Sequence, residues 1–473
     1  MPLNNQTRRG FIKSAVGGSL GIALFPAILP ARLLGTDAPN KKIQVAQIGC
    51  GRMGRNDLGN TMAEPLARVV AVCDLDSRRL AAGKKLADDF YANKGESGVS
   101  VKAFHDYRDA LASPEIDAVV ITVPDHSHAR VAIEAAIAGK HIYVQKPVTY
   151  TIAEAIALRK VVESTRIILQ TGSQQRSSRP WASFRPASEA VRNGRVGQLR
   201  TVKIGISMDQ PFGIKPAPMR VPENLDYERW LGSAPDRPYM EGRVHPQNSL
   251  NGRPGWITTE DFGLGMITNW GAHHLDIAHW AMGQECGGPL TVEAVATYPK
   301  DDLMTSHQGF HVEMLYPGKV KVILDPKFPK GLRFEGDEGW VFCTRSEETE
   351  VVHKADGKLD RAAMQSLQAS SPGILSPLGE PATRWMPSKS HFGNWLEGIV
   401  ANRQPIAPIQ QSVRTLEGCC AAWIAMKLKR KLNWDAAAEM FIGDDAANAL
   451  RERKPRKPEF DYTLAMKRAG IGV

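Results

Sequence analysis

Three glycines in Gly49-Cys50-Gly51-Arg52-Met53-Gly54 are the first residues whose spacing suggests chemistry. They follow the apolar run Ile43-Gln44-Val45-Ala46-Gln47-Ile48 and precede a stretch, residues 55–63, suited to a helix. On its own G-x-G-x-x-G is equally compatible with a flexible turn; between a strand and a helix it becomes a dinucleotide cradle. Gly49 then supplies the tight turn, Gly51 lets a pyrophosphate approach the backbone, and Gly54 allows close helix–strand packing, with Arg52 and Met53 in the same cofactor-binding loop. The next apolar run, residues 69–73, ends at Asp74, placed to bond both ribose hydroxyls of adenosine. Its charge repels a 2′-phosphate, so the expected cofactor is NAD rather than NADP. Arg78 and Arg79 just beyond are read as a solvated helix start.

Lys146 ends a further apolar run, Ile142-Tyr143-Val144-Gln145. The C-terminal end of a central strand faces the ligand crevice of an open sheet. A lysine there can polarise or protonate a carbonyl oxygen and orient a hydroxyl during hydride transfer; a surface salt-bridge lysine is the alternative. His126 and His128 offer two imidazoles, but no cysteine or carboxylate cluster accompanies them, so no metal site is expected. Asn269 and His273 stand four residues apart, one turn along one helical face.

Strand-like and helix-like segments alternate around these residues. Strands are expected at 117–123, 142–144 and 167–170, and helices at 127–138 and 152–163, an order that gives a doubly wound parallel sheet. No segment repeats at a fixed period, which excludes a solenoid. From about residue 176 short strands cluster instead, at 199–208, 291–298, 309–316, 320–324 and 340–343. Helices at 187–193 and 267–282 pack on one side of them, and a helix at 411–430 returns to the core. The expected fold is α/β: an N-terminal Rossmann dinucleotide-binding domain and a C-terminal α+β domain built on a large, mostly antiparallel sheet.

With 473 residues, 42% hydrophobic and 23% charged, the chain has the balance of a soluble two-domain protein. The formal charge of +10 raises the question of nucleic acid. Four of the positive charges, Arg8, Arg9, Lys13 and Arg32, lie in residues 1–35, which hold no acidic residue. A second basic stretch, residues 451–457, also lacks interleaved aromatics, so no nucleic-acid partner is expected. Thr7-Arg8-Arg9-Gly10-Phe11-Ile12-Lys13 and the apolar run after it read as a twin-arginine export signal. Gly17, Gly18, Gly21 and Pro26 interrupt a run shorter than the ~20 apolar residues of a membrane span, so no stable insertion is expected. The six cysteines form no C-x-x-C pair and are read as buried free thiols. The expected organisation is a leader over 1–35, a Rossmann NAD-binding domain over 36–170, a substrate and oligomerisation domain over 171–434 and a C-terminal extension over 435–473.

Pro124-Asp125-His126-Ser127-His128 and Gln145-Lys146-Pro147 resemble motifs of the glucose–fructose oxidoreductase, inositol dehydrogenase and rhizopine-catabolism (Gfo/Idh/MocA) family. The resemblance runs from Lys41 to about Trp434. It implies that Lys146 sits beside the nicotinamide and the reacting carbon, and that Pro124, Asp125 and His128 line the cofactor. The usual family motif is Glu-Lys-Pro, so Gln145 removes a charge next to the lysine. Asn269-Trp270-Gly271-Ala272-His273-His274-Leu275-Asp276 is similar to a family helix that faces the nicotinamide, with Asn269 where many relatives carry Asp. This implies that His273 is the general base for the hydroxyl proton, with Asn269 holding a substrate hydroxyl. Asp276 then lies in the substrate site, orienting a histidine or pinning the helix. Arg176 is expected at the cleft as a ligand for sugar hydroxyls, and Trp256, with Trp181, as a platform for a sugar's C–H face. The family also implies a homo-oligomer assembled through the open face of the second sheet.

The expected protein is an exported, periplasmic NAD-dependent dehydrogenase or reductase. It acts on a secondary hydroxyl or keto group of a sugar, glycoside or cyclitol and keeps its cofactor tightly bound. A redox-neutral, NAD-dependent glycosidase and a non-catalytic sugar-binding protein are the competing expectations. Replacing Arg8 and Arg9 by lysine should hold the precursor in the cytoplasm with its activity intact, as fractionation would show; normal export of that variant would overturn the leader.

Overall fold

The computed structural model describes residues 42–96, 100–283, 287–345 and 365–472. The expected leader and Cys286 lie outside these residues. Six described strands form the first sheet: β1 (Ile43–Ile48), β2 (Ala67–Cys73), β3 (Lys102–Phe104), β4 (Ala118–Ile121), β5 (His141–Val144) and β6 (Leu169–Thr171). Their order is β3-β2-β1-β4-β5-β6 and all pair in parallel. β1, β4 and β5 are almost wholly buried because helices cover both faces, which is why they read as continuous apolar runs. The helices are α1 (Arg52–Ala63), α2 (Ser77–Asn93), α3 (Tyr107–Ala112), α4 (Asp125–Ile137) and α5 (Ile152–Thr165). Asp76 caps α2 by accepting from Arg78 N and Arg79 N, and Thr151 with Glu154 forms a capping box on α5. The chain reverses direction through the sheet between β1 and β4, so the crevice opens at the C-terminal ends of those strands.

Nine described strands form the second sheet, mostly antiparallel, in the order β13-β12-β11-β7-β10-β9-β8-β14-β15. They are β7 (Leu199–Gly205), β8 (Thr291–Ala296), β9 (Phe310–Leu315), β10 (Lys321–Leu324), β11 (Gly331–Gly336), β12 (Trp340–Cys343), β13 (Leu367–Ala369), β14 (Leu432–Asp435) and β15 (Met440–Phe441). The expected strands are present, with ends that differ by up to three residues; β3, β11 and β13 to β15 are additions. β11 alternates strictly through Leu332 and Phe334 but spans few residues between glycines; β13 and β14 gain their places from β12 and β8, distant in the chain, and β15 is a two-residue strand paired back on β14. One face of this sheet packs on α6 (Phe184–Arg192), α8 (Met266–Asn269), α9 (Gly271–Met282) and α11 (Ile409–Leu428), with α7 (Tyr227–Leu231) and α10 (His391–Ala401) outside that layer. The segment expected as one helix over 267–282 is two, broken at Trp270, so Asn269 ends one helix and His273 lies in the first turn of the next. No helix among the described residues is long and apolar enough to cross a membrane.

Arg176 corrects an expectation. It follows β6, but its side chain is 1% exposed and points into the core, away from the cleft. Its Nε and Nη2 donate to both oxygens of Asp276 on α9, at 2.7 and 2.8 Å. Nη1 reaches Ile406 O at 3.0 Å and also Gln411 Oε1. Asp276 is therefore not a substrate ligand either; it pins α9, one of the two roles foreseen for it. The pair ties the end of the first sheet to the helix that carries His273.

The C-terminal extension is also structural. Arg453 donates to Asp261 O, His126 O and Ser233 Oγ, and Arg456 pairs with Glu228 and Asp236. Much of the basic stretch at 451–457 is thus consumed internally, holding the chain end against the loop that walls the cleft. Five cysteines are buried free thiols, as expected.

Removing one member of a buried ion pair strands the other, at a cost of about 3–5 kcal/mol. Asp276→Ala should therefore lower the urea-unfolding free energy of the second domain by about that amount, read by intrinsic fluorescence. A loss below about 1 kcal/mol, the range of a surface pair, would show that the pair does not hold the fold together.

Candidate active site

A cleft of about 550 Å³ runs from the glycine loop to the broken helix and is lined by residues of both domains. At its first end, Gly49 has φ +91°, which favours glycine, and a Cβ on Gly54 would lie 1.9 Å from the Gly49 carbonyl oxygen. A Cβ on Gly51 would meet nothing within 4 Å, so the backbone there faces open space. Gly51 also caps α1 without any side-chain bond to the first turn, leaving its N–H groups directed at the cleft. Arg52 and Met53 line the same end. Asp74 sits at the tip of β2, where its Oδ2 accepts from Cys50 N at 2.6 Å and its Oδ1 from Asp76 N at 2.8 Å. This locks the carboxylate between the two loops that meet an adenosine. The donor set fits a dinucleotide.

Arg79 is a second correction. It is buried, not solvated: Nη1 pairs with Asp76 Oδ2 at 2.9 Å and Nη2 donates to Pro246 O. His245 Nε2 shares that Asp76 oxygen at 3.0 Å. With its cation committed to Asp76, Arg79 lines the adenosine end without cancelling the charge of Asp74.

Along the middle of the cleft lie Pro124, Asp125 and His128. The His128 ring lies 2.7 Å from Pro147 O and 2.9 Å from Val123 O, so it ties the strand ends together beneath the cofactor groove. His126 Nε2 likewise meets Trp230 O at 2.8 Å.

At the far end Lys146 Nζ donates to Asn269 O at 2.9 Å and to Asn269 Oδ1 at 2.8 Å, joining the two domains across the cleft. Desolvation, with Arg345 adding to it, lowers the Lys146 ammonium to about 8, against the opposing pull of Asp125 and Asp57. His273 lines the same wall, and its Nδ1 has no partner among the described residues. Burial first, then Arg345 and Lys146, hold the imidazole well below its ordinary range. That conflicts with His273 as the general base, because protonation would place a third cation beside Lys146 and Arg345. The uncharged amide of Asn269 supplies nothing to offset it. Trp256 lines the cleft from the short turn Gly255–Thr258, and Trp181 and Trp270 stand opposite.

Gln145 is matched to its surroundings. Its Nε2 donates to Asp57 Oδ2 at 2.8 Å, and Thr122 Oγ1 donates to the same oxygen at 2.9 Å. Burial raises the Asp57 carboxyl to about 7. A glutamate at 145 would set a second carboxylate against this buried one, so the amide keeps the network neutral behind Lys146. Asp57 and Arg345 were missed by sequence reading, and Arg79 was read as solvated. Asp57 and Arg79 sit in helices where a charge normally means solvent, and Arg345 stands outside any motif.

If Asp74 holds the ribose, Asp74→Ala should weaken NAD binding roughly 10- to 100-fold, the worth of hydrogen bonds to a charged group, and narrow the preference over NADP. Fluorescence titration with both reduced cofactors measures this, and an unchanged preference would refute the role.

Residues 43–173 match the oxidoreductase-family NAD-binding Rossmann fold of the Gfo/Idh/MocA group, and residues 213–358 match its C-terminal alpha/beta domain, together more than half of the chain. Over 34% of its length the chain is 27% identical to a myo-inositol 2-dehydrogenase from Thermotoga maritima, covering 44% of that protein. Over 34% of its length it is also 31% identical to a glycosyl hydrolase family 109 protein from Shewanella sp. strain ANA-3, covering 37% of that protein. The chain thus spans less than half the length of either relative. The fold is shared with the WlbA dehydrogenase from Bordetella pertussis, solved in complex with NADH and UDP-GlcNAcA. That structure has a TM-score of 0.56 and 17% identity, over 83% of this chain and 99% of that one. With both domains matched in order and the dinucleotide loop in place, the chain belongs to the Gfo/Idh/MocA oxidoreductase family, with NAD as the cofactor of its first domain.

Proposed function

We propose that this protein oxidises a secondary hydroxyl, or reduces the corresponding ketone, of a sugar, glycoside or cyclitol. The observation that carries this reading is the Lys146–Asn269 contact. It sets a lysine of depressed basicity and a neutral histidine on opposite domains at the nicotinamide end of one cleft. Bound NAD supplies the hydride acceptor or donor. The chain supplies the proton chemistry. Lys146, neutral above about 8, takes the hydroxyl proton at Nζ in the oxidative direction and returns it as the ammonium in the reductive one. His273 remains neutral and hydrogen-bonds the same substrate oxygen, and Asn269 holds Lys146 Nζ in line. Trp256 and Trp181 offer apolar faces to the ring and keep water from the reacting carbon.

The twin-arginine leader supports a periplasmic location. Free NAD is scarce there, which favours a cofactor retained and recycled within one site. The alternating outer face of the second sheet, with Val295 63% exposed, supports self-association through that face. The similarity to glycosyl hydrolase family 109 proteins favours one second reading, transient oxidation followed by elimination of an aglycone. Product chromatography separates the two: a keto-sugar marks a dehydrogenase, a cleaved glycoside the alternative.

The pH dependence follows from the sign of the Lys146 shift. Oxidation needs the neutral amine, so its kcat should rise as pH passes about 8, while reduction falls over the same interval. Lys146→Arg stays cationic and should lose ~10²–10⁴-fold in oxidation with NAD retained. His273→Ala should slow turnover yet keep the inflection; its disappearance in that variant would return the base role to His273.

A further inference from the structure

Arg345 follows β12 and lines the cleft beside Lys146 and His273, where its charge bears on both. Its guanidinium carbon lies 4.1 Å from the Trp181 ring centroid and 4.4 Å from that of Trp270. Two indoles thus grip the cation and fix its orientation. Gln175 Oε1 accepts from Nε at 3.2 Å and from Nη2 at 2.9 Å, and the Gln175 amide nitrogen is itself within 3.3 Å of His274 Nδ1. An arginine carries five N–H donors, and Gln175 occupies one edge of the fork. The opposite edge, formed by Nη1 and Nη2, meets no carboxylate among the described residues. The acids nearby are otherwise engaged. Asp209 pairs with Arg253 at 2.5 Å, and Asp125 acts on Lys146. Loss of water around the clamped guanidinium lowers it to about 9, a measure of how poorly its charge is compensated.

We propose that Arg345 binds a carboxylate of the substrate, so that the sugar taken by this site is a sugar acid, an aldonate or a uronate. A planar guanidinium edge matches a carboxylate with two parallel bonds, whereas a neutral sugar leaves the desolvated cation uncompensated. The carboxylate at Arg345 and the reacting hydroxyl at Lys146 fix the ring at two points, and Trp256 offers an apolar face to it. The proposal rests on the oxidoreductase reading for the identity of the cleft, but its test does not require turnover.

The test is calorimetric titration of the NAD-loaded protein with D-glucuronate, D-gluconate, D-glucose and D-glucose 6-phosphate, repeated on Arg345→Gln and Arg345→Lys. NAD content confirms that each variant is folded. The two sugar acids should bind roughly 10- to 100-fold more tightly than glucose, as expected for hydrogen bonds to a charged group. Arg345→Gln should abolish that difference, and Arg345→Lys should retain part of it. Glucose binding as tightly as glucuronate, preference for the phosphate ester, an Arg345→Gln variant that still favours the acids, or no binding by any of the four would each overturn the assignment. Glucuronate held through Arg345 without hydride transfer would keep the assignment and overturn the dehydrogenase reading instead.

Discussion

The buried pair between Arg176 and Asp276 is the constraint on which the active geometry depends. Taking both charges out of water is costly, and the cost is offset by two parallel hydrogen bonds to the carboxylate and by further bonds to Ile406 O and Gln411. Together they come from three separate stretches of chain. The arginine follows the last strand of the first sheet, the aspartate sits in α9, and Gln411 lies in the first turn of α11. A hydrophobic contact could bury the same surface, but it would tolerate sliding or rotation of α9. The bidentate pair does not, because any such shift strands a charge. His273 lies one turn before Asp276 on the same helix, so its place opposite Lys146 follows from this contact.

The same logic of uncompensated charge explains the chemistry of the cleft. Lys146 and Arg345 share a desolvated wall with a histidine, and each cation makes the protonation of its neighbours harder. The outcome is a neutral imidazole beside a lysine whose proton is loosely held. Behind them Gln145 donates to a buried carboxyl, and so spares the site a second negative charge next to Asp57. The two departures from the family motifs, Gln145 and Asn269, belong to one arrangement. Both replace a carboxylate by an amide, and both amides contact the groups that tune or hold Lys146.

Positive charge elsewhere is spent on structure. The basic C-terminal stretch suggests an acidic partner when read alone, yet Arg453 and Arg456 serve as braces between the chain end and the wall of the cleft. The segment they hold, α7 and the turn after it, contains Trp230 and Ser233, which contact His126 at the mouth of the cofactor groove.

The dinucleotide domain was legible in the residues themselves because local order sufficed there. Strand, glycines and helix follow one another directly, and the acid at the tip of the next strand lies a short, regular distance on. Lys146 was legible for the same reason: a strand end in a parallel sheet has only one functional side. Asn269 and His273 were identified as neighbours from helical spacing, although the break at Trp270 was not. Arg176 was placed wrongly because sequence shows that a residue follows a strand but not whether its side chain turns outward to the cleft or inward to the core. That choice depended on Asp276, a hundred residues away. Asp57, Arg79 and Arg345 escaped for the converse reason, since charged residues in unremarkable contexts read as solvent-facing until a folded neighbour buries them. The sequence by itself determined the nucleotide fold, its cofactor and the lysine at its crevice. Only the tertiary structure decided which charges are paired, which are left to a ligand, and therefore which group can hold a proton.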